Sequence, residues 1–294
     1  MKKSIYTKSL IIFSVYCLFW VGISIAMTRI LGYGQNLSPI IPFKDIGLEI
    51  GFISILFLPL ASISGALVGG YLFTPLFLYF HMKIFKNRYQ YGINLKPDYG
   101  KFKFIAQGLF VSLMAINFSL LLLNPDTVRF TTGNFGASIE DLNPDQYIIA
   151  FVIILIFTFA FTNLLFSPTW FLMDSGILYS NKMKLNETNK PLEIRSIGRW
   201  YEQFLRGYAG VSVLLSYVEF ITIFFIAADN NLPLFIIELI MFIPFPLILI
   251  IPTIPALIIL NIIKEKRSNY ILSKARKLGI IDTMEVSIDL KKEI

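Results

Sequence analysis

Apolar residues along this chain come in long unbroken runs, not in the short alternations of a water-facing fold. Six segments are free or nearly free of charge, at about residues 9–27, 50–80, 104–123, 148–173, 207–228 and 234–263. A helix needs about 20 apolar residues to cross the hydrocarbon core of a bilayer. Each segment therefore predicts a spanning helix. The pattern as a whole predicts an all-α membrane protein, a six-helix transmembrane bundle of three hairpins with a small cytoplasmic β element. On this reading residues 1–263 are the transmembrane domain, with cytoplasmic loops at 81–103 and 174–206. Residues 264–294 are a cytoplasmic tail made of a basic helix and a strand.

Two segments carry a second reading. The first has a basic start and Ser24-Ile25-Ala26 as a small-residue site, the shape of a cleaved signal peptide. Its 19 uncharged residues, Phe19 and Trp20 among them, favour a retained anchor. The second holds 31 uncharged residues, about 46 Å of helix and too long for one upright span. Pro59 and Pro75 predict that it is kinked or tilted.

Period two appears in the polar stretches. Met284, Val286, Ile288 and Leu290 alternate with polar residues, and so do Leu192 and Ile194. Ile177–Ser180 is a third short candidate. These predict three strands, with Met284–Lys291 pairing the region from Pro191 to Ser196. Arg199-Trp200-Tyr201 reads as the interfacial start of a helix, and Lys264–Leu278 as a basic helix that continues the sixth segment.

Composition agrees with lipid as solvent: 55% of the 294 residues are hydrophobic and 15% charged, too few to clothe a soluble globule. The net charge of +7 would raise nucleic acid as a partner, but the bases all border apolar runs. Lys and Arg number three before the first segment, six in 81–103, six in 174–206 and eight after the sixth. The alternate connections hold two, one and none. Positive charge stays on the cytoplasmic side, so both termini are expected in the cytoplasm of a multi-pass cell-membrane protein. Acids dominate the outer loop that holds Asp126, Glu140, Asp141 and Asp145.

Cys17 and His81 are the single cysteine and histidine. One chain therefore makes neither a disulfide nor a Cys/His zinc site, and no metal or cofactor is expected. His81 reads as an interfacial residue at the inner boundary. Ser62-Ile63-Ser64-Gly65 lies in a span, as in intramembrane serine proteases, but no span holds a histidine or lysine to act as base. The sequence leans away from an enzyme. Asn124-Pro125-Asp126 and Asn143-Pro144-Asp145 both flank one outer loop, unlike the boxes of aquaporin-like channels, and read as helix stop and start signals.

Three features carry candidate chemistry. Glu219 is the one acid deep in a span, about 15–18 Å from either end. An acid at that depth is costly and usually functional. Ser212, Ser216 and Glu219 share a helical face at i, i+4, i+7, and Tyr208 extends it. Ala61, Gly65 and Gly69 recur every four residues and predict a helix interface. Pro244, Pro246, Pro252 and Pro255 predict breaks in the sixth segment, of the kind transporters place near substrate.

Prolines also hint at a repeat. Leu72-Phe73-Thr74-Pro75, Leu165-Phe166-Ser167-Pro168 and Thr253-Ile254-Pro255 place prolines 93 and 87 residues apart, near the inner ends of the returning helices. Mitochondrial carriers share a three-repeat, six-span plan, but their acid-basic signature after proline is absent.

The leading expectation is a transporter or permease-type subunit with its pathway near the fifth and sixth spans. The alternative is a non-catalytic membrane scaffold or assembly subunit. A lipid-modifying enzyme using Glu219 and serines is a third reading. The partners expected are the lipid bilayer, other membrane subunits or a cytoplasmic ATPase, and no nucleic acid.

Overall fold

Backbone polar groups in an apolar run must bond to one another, and a helix achieves this within the segment. The computed structural model of the protein is accordingly mostly helical. It describes scattered positions between 7 and 22 and residues 53–94, 103–136, 138, 142, 144–181, 194–227 and 245–280. The helices are α1 (Leu58–Val68), α2 (Thr74–Phe85), α3 (Lys103–Leu122), α4 (Pro125–Thr132) and α5 (Pro144–Ser175). They continue with α6 (Ile197–Ala227), α7 (Phe245–Ile248), α8 (Ile254–Ile262) and α9 (Lys264–Lys277). The strands are β1 (Tyr89–Ile93), β2 (Ile177–Asn181) and β3 (Ile194–Ser196).

Among the described residues, two helical runs are long and apolar enough to cross a membrane, Ser54–Phe85 and Ile149–Ser175. Two bent helix pairs, Gln107–Leu122 with Pro125–Thr132 and Pro246–Ile262 with Lys264–Lys277, raise the number to four if each pair is one span. The chain is membrane-associated on this evidence. The strand expected at Met284–Lys291 and the start of the sixth segment with Pro244 lie outside the described residues, as does most of the first segment.

The long second segment is one helical run with two irregular turns. Ile53–Phe57 and Gly69–Phe73 are π-helical, and α1 and α2 are the regular parts. At 32 residues the run would span about 48 Å if regular. The second π turn sits just before Pro75. There the N–H of Thr74 reaches back to the carbonyl of Gly69, the five-residue step that defines a π turn.

The chain divides into two compact units. The first comprises Met1–Gly65, Phe104–Asn163 and Tyr208–Ile258. Its interior is built by Val111, Met114, Ala115 and Ile116 of α3 and by Ile154, Leu155 and Phe159 of α5, all buried. Polar side chains are sealed among them. The hydroxyls of Ser119 and Thr158 lie 2.7 Å apart, and Ser62 donates to Asn163 Oδ1 at 3.1 Å. A Cβ on Gly65 would overlap the backbone of Ala160, so α1 and α5 approach there to backbone contact. Asn124 caps α4, its side chain accepting from the N–H of Thr127 at 2.9 Å. Α4 leaves α3 at 97°.

The second unit comprises Ala66–Lys103, Leu164–Gly207 and Ile259–Ile294. It holds the small sheet, in the order β1-β2-β3, antiparallel throughout. Tyr91 faces Tyr179 across the first ladder and Tyr179 faces Arg195 across the second. Gly176, at φ +67°, turns the chain from α5 into β2, and Asn94 donates to its carbonyl at 2.8 Å. Two of the three expected strands form, at Ile177–Asn181 and Ile194–Ser196. The third strand among the described residues is β1, whose sequence Tyr-Gln-Tyr-Gly-Ile had raised no expectation.

Candidate functional site

Proline sets the local geometry of the second unit. Without an N–H, a proline leaves the carbonyl four residues back without its usual donor and crowds that turn. Pro75 does this to Tyr71, and Pro168 to Leu164. Each break is tended by the hydroxyl that precedes the proline. Thr74 Oγ1 bonds to Gly69 O and Ser167 Oγ to Leu164 O, both at 3.2 Å. Thr253, two residues before Pro255, bonds to Ile250 O in the first unit.

Tyrosine hydroxyls from other helices reach the same two breaks. Tyr270 of α9 donates to Tyr71 O at 3.0 Å, and Tyr201 of α6 donates to Leu165 O at 2.9 Å. Burial pushes the Tyr201 phenol up to about 12, so it remains a donor throughout the physiological range.

An ionic centre closes the end of α5. Asp174 accepts from Arg267 of α9 and sits 3.5 Å from Lys264 Nζ. Ser268 Oγ donates to the Asp174 carbonyl at 3.0 Å. Both Asp174 and Arg267 are nearly sealed, with side-chain exposures of 8% and 3%, while Lys264 stays 48% exposed. The Arg267 guanidinium also lies 5.2 Å over the Phe171 ring. Arg267, Ile271 and Ala275 are the buried positions of α9. Their i, i+4, i+8 spacing puts the arginine on the inward stripe of an otherwise solvated basic helix.

His81 is buried. Phe77, Phe85, Tyr89, Tyr91, Tyr179 and Trp200 surround its ring with centroids 4.9–6.3 Å away. Its Nδ1 is 3.1 Å from the Tyr91 hydroxyl. Burial first, and then the neighbouring phenols Tyr89 and Tyr179, push Tyr91 well above the usual tyrosine range. The phenol is therefore a hydroxyl, able to donate to or accept from the imidazole.

The residues singled out by sequence fall as follows. Tyr208 is 45% exposed and stacks on Phe118 at 6.1 Å, whereas Ser212 is buried. Glu219 and Ser216 lie in α6, with side chains outside the described residues. Ala61 and Gly65 are buried in α1. Gly69 opens the π turn, where a Cβ would overlap Leu164 O and Ser167 Oγ. Pro246 lies in α7, Pro252 in a 3₁₀ turn (Ile251–Thr253) and Pro255 in α8.

Within the helical run Pro246–Ile262, α-helical bonding thus gives way to a turn and a 3₁₀ turn between Ile248 and Ile254. A Cβ on Gly108 would stand 3.1 Å from Ile250 Cγ2 and 3.3 Å from Thr253 Oγ1, so α3 packs close against the interruption. Further along α3, Asn117 Nδ2 is buried without a hydrogen-bond partner among the described residues. A buried donor left unpaired costs about 1–3 kcal/mol and calls for a water or polar ligand.

Chemically, the described groups bind and brace. The Asp174 carboxylate is held between two cations, and no group of three or more His, Cys, Asp or Glu gathers among the described residues to hold a metal. Sequence reading left the roles of Asp174, Arg267, Tyr270 and Asn163 unassigned, and marked Tyr201 only as part of an interfacial helix start. For Arg267 the signal was present in its spacing from Ile271 and Ala275. For the tyrosines no signal exists, since their acceptors are main-chain carbonyls far along the chain. Compared with protein-family models, curated proteins and solved structures, the chain matches none.

Proposed function

We propose that this chain is a transporter or permease-type subunit of the cell membrane, with a pathway beside its fifth and sixth spans. The observation that carries the reading is the departure of the sixth segment from α-helical bonding between Ile248 and Ile254, where a turn and a 3₁₀ turn replace it. Broken helices at membrane depth occur where protein or a cavity receives the freed backbone groups. The packing of Gly108 on that interruption and the unpartnered Asn117 amide on the same helix support it. Glu219 supplies the titratable group, inside an uninterrupted α6.

The finer topology belongs to the same proposal. It has six spans in three hairpins, both termini in the cytoplasm, and β1–β3 and α9 on the cytoplasmic side. The charge distribution supports it. A cytoplasmic ATPase or further membrane subunits would be the partners.

A test that needs no substrate uses dicyclohexylcarbodiimide, which reacts with protonated carboxyls in apolar surroundings. In membranes, the peptide carrying Glu219 should gain the adduct at low pH and lose it as pH rises, and Glu219→Gln should abolish it. Labelling that ignores pH, or none at any pH, would mean a sealed carboxyl. That outcome removes the pathway and leaves the scaffold reading, which the sealed Ser62–Asn163 and Ser119–Thr158 pairs favour.

A further inference from the structure

The second unit contains two proline breaks and one helix that reaches both of the segments bearing them. Tyr270 of α9 occupies the carbonyl that Pro75 deprives of its donor. Three residues earlier, Arg267 holds Asp174, six residues beyond Pro168 on α5. Ser268 and Lys264 add bonds to the same aspartate. Tyr71 and Tyr270 also meet edge to face at 5.2 Å, as do Tyr71 and Phe171.

We propose that α9 is a latch, a conformational device that locks the angles of the Pro75 and Pro168 breaks together, and that releases both when Asp174 parts from Arg267. The attachments are polar, and this matters. Packed apolar surface holds under all conditions, whereas an ion pair and a phenol bond can be exchanged for water or for another partner. Lys264, half exposed beside a nearly sealed aspartate, marks the side from which water reaches the pair.

Proline has already weakened both helices at these points, so little helical bonding resists bending once the braces go. The π turn at Gly69–Phe73 is a second soft element, held by Thr74 and by the close approach of Leu164 and Ser167 to Gly69. One helix therefore braces the Pro75 break directly and anchors α5 beyond its Pro168 break, where Tyr201 of α6 adds a second hold.

Hydrogen exchange of the full chain in lipid nanodiscs tests it. Tyr270→Phe removes one hydroxyl and nothing else. It should raise exchange at Gly69–Leu78 about fivefold, together with α9. Asp174→Asn should raise exchange at Gly69–Leu78, at the end of α5 and in α9 by about tenfold or more. In a Cys17→Ser background, spin labels at the exposed Lys86 and Lys277 should show one distance, and Asp174→Asn should add a longer population. Increases confined to α9, or none, overturn the proposal, as does an unchanged distance distribution. If Asp174→Asn does not fold, Tyr270→Phe decides alone.

Discussion

At the scale of single residues, close approach and sealed polarity do most of the work. Gly65 is a position where any side chain collides with the Ala160 backbone. Gly65→Val should cost about 1–3 kcal/mol or more, read as a fall in unfolding midpoint in detergent. The same change at Gly207, where a Cβ would meet nothing within 4 Å, should be nearly neutral. Ser62 and Asn163 form a pair whose value depends on each other. A double-mutant cycle with Ser62→Ala and Asn163→Leu should return a coupling of about 0.5–2 kcal/mol.

Tyr201 gives a pH dependence whose sign is fixed by its shift. Its folded value, about 12, stands above the unfolded 10.0. The contribution is therefore complete below pH 10 and lost as pH rises through 12. Tyr201→Phe should flatten the alkaline fall in melting temperature between those limits. A mutant that falls as steeply as the parent would show that the phenol is not the group responsible.

At the scale of elements, proline and hydroxyl act as a pair. Pro75→Ala restores an N–H that can bond to Tyr71 O and makes the Tyr270 hydroxyl redundant. The effect of Tyr270→Phe on exchange at Gly69–Leu78 should therefore shrink in a Pro75→Ala background. Equal effects in both backgrounds would mean that the bond to Tyr71 O is incidental. The sheet shows how an element can lack a sequence signature. In β1, Tyr89, Gln90 and Tyr91 are half-buried while Gly92 and Ile93 are buried, so burial does not alternate and period two is missing. Its pairing is decided by β2, which lies 84 residues onward in the chain by the register of Ile93 with Ile177.

At the scale of the whole molecule the open question is how the chain sits in its membrane. The proposed topology would put residue 141 outside and residue 190 in the cytoplasm. With Cys17→Ser as background, Asp141→Cys should react with an impermeant thiol reagent on intact cells. Lys190→Cys should react only after permeabilisation. Reaction of both from one side would discard the six-span topology.

Sequence by itself determined the class of this protein. Charge-free runs of helix length leave lipid as their solvent, and the bilayer demands internally bonded backbone. That much follows from composition and spacing, without any knowledge of contacts. Sequence also located β2 and β3, because short strands next to turn residues are local features. What it could not reach was every feature made by partners distant in the chain. Asp174 and Arg267 read as loop and tail charges until folding brought them together, 93 residues apart. The aromatic cage of Tyr91, Tyr179 and Trp200 around His81 likewise had no sign in the sequence. Burial and pairing are properties of the assembled chain, and only tertiary structure assigns them.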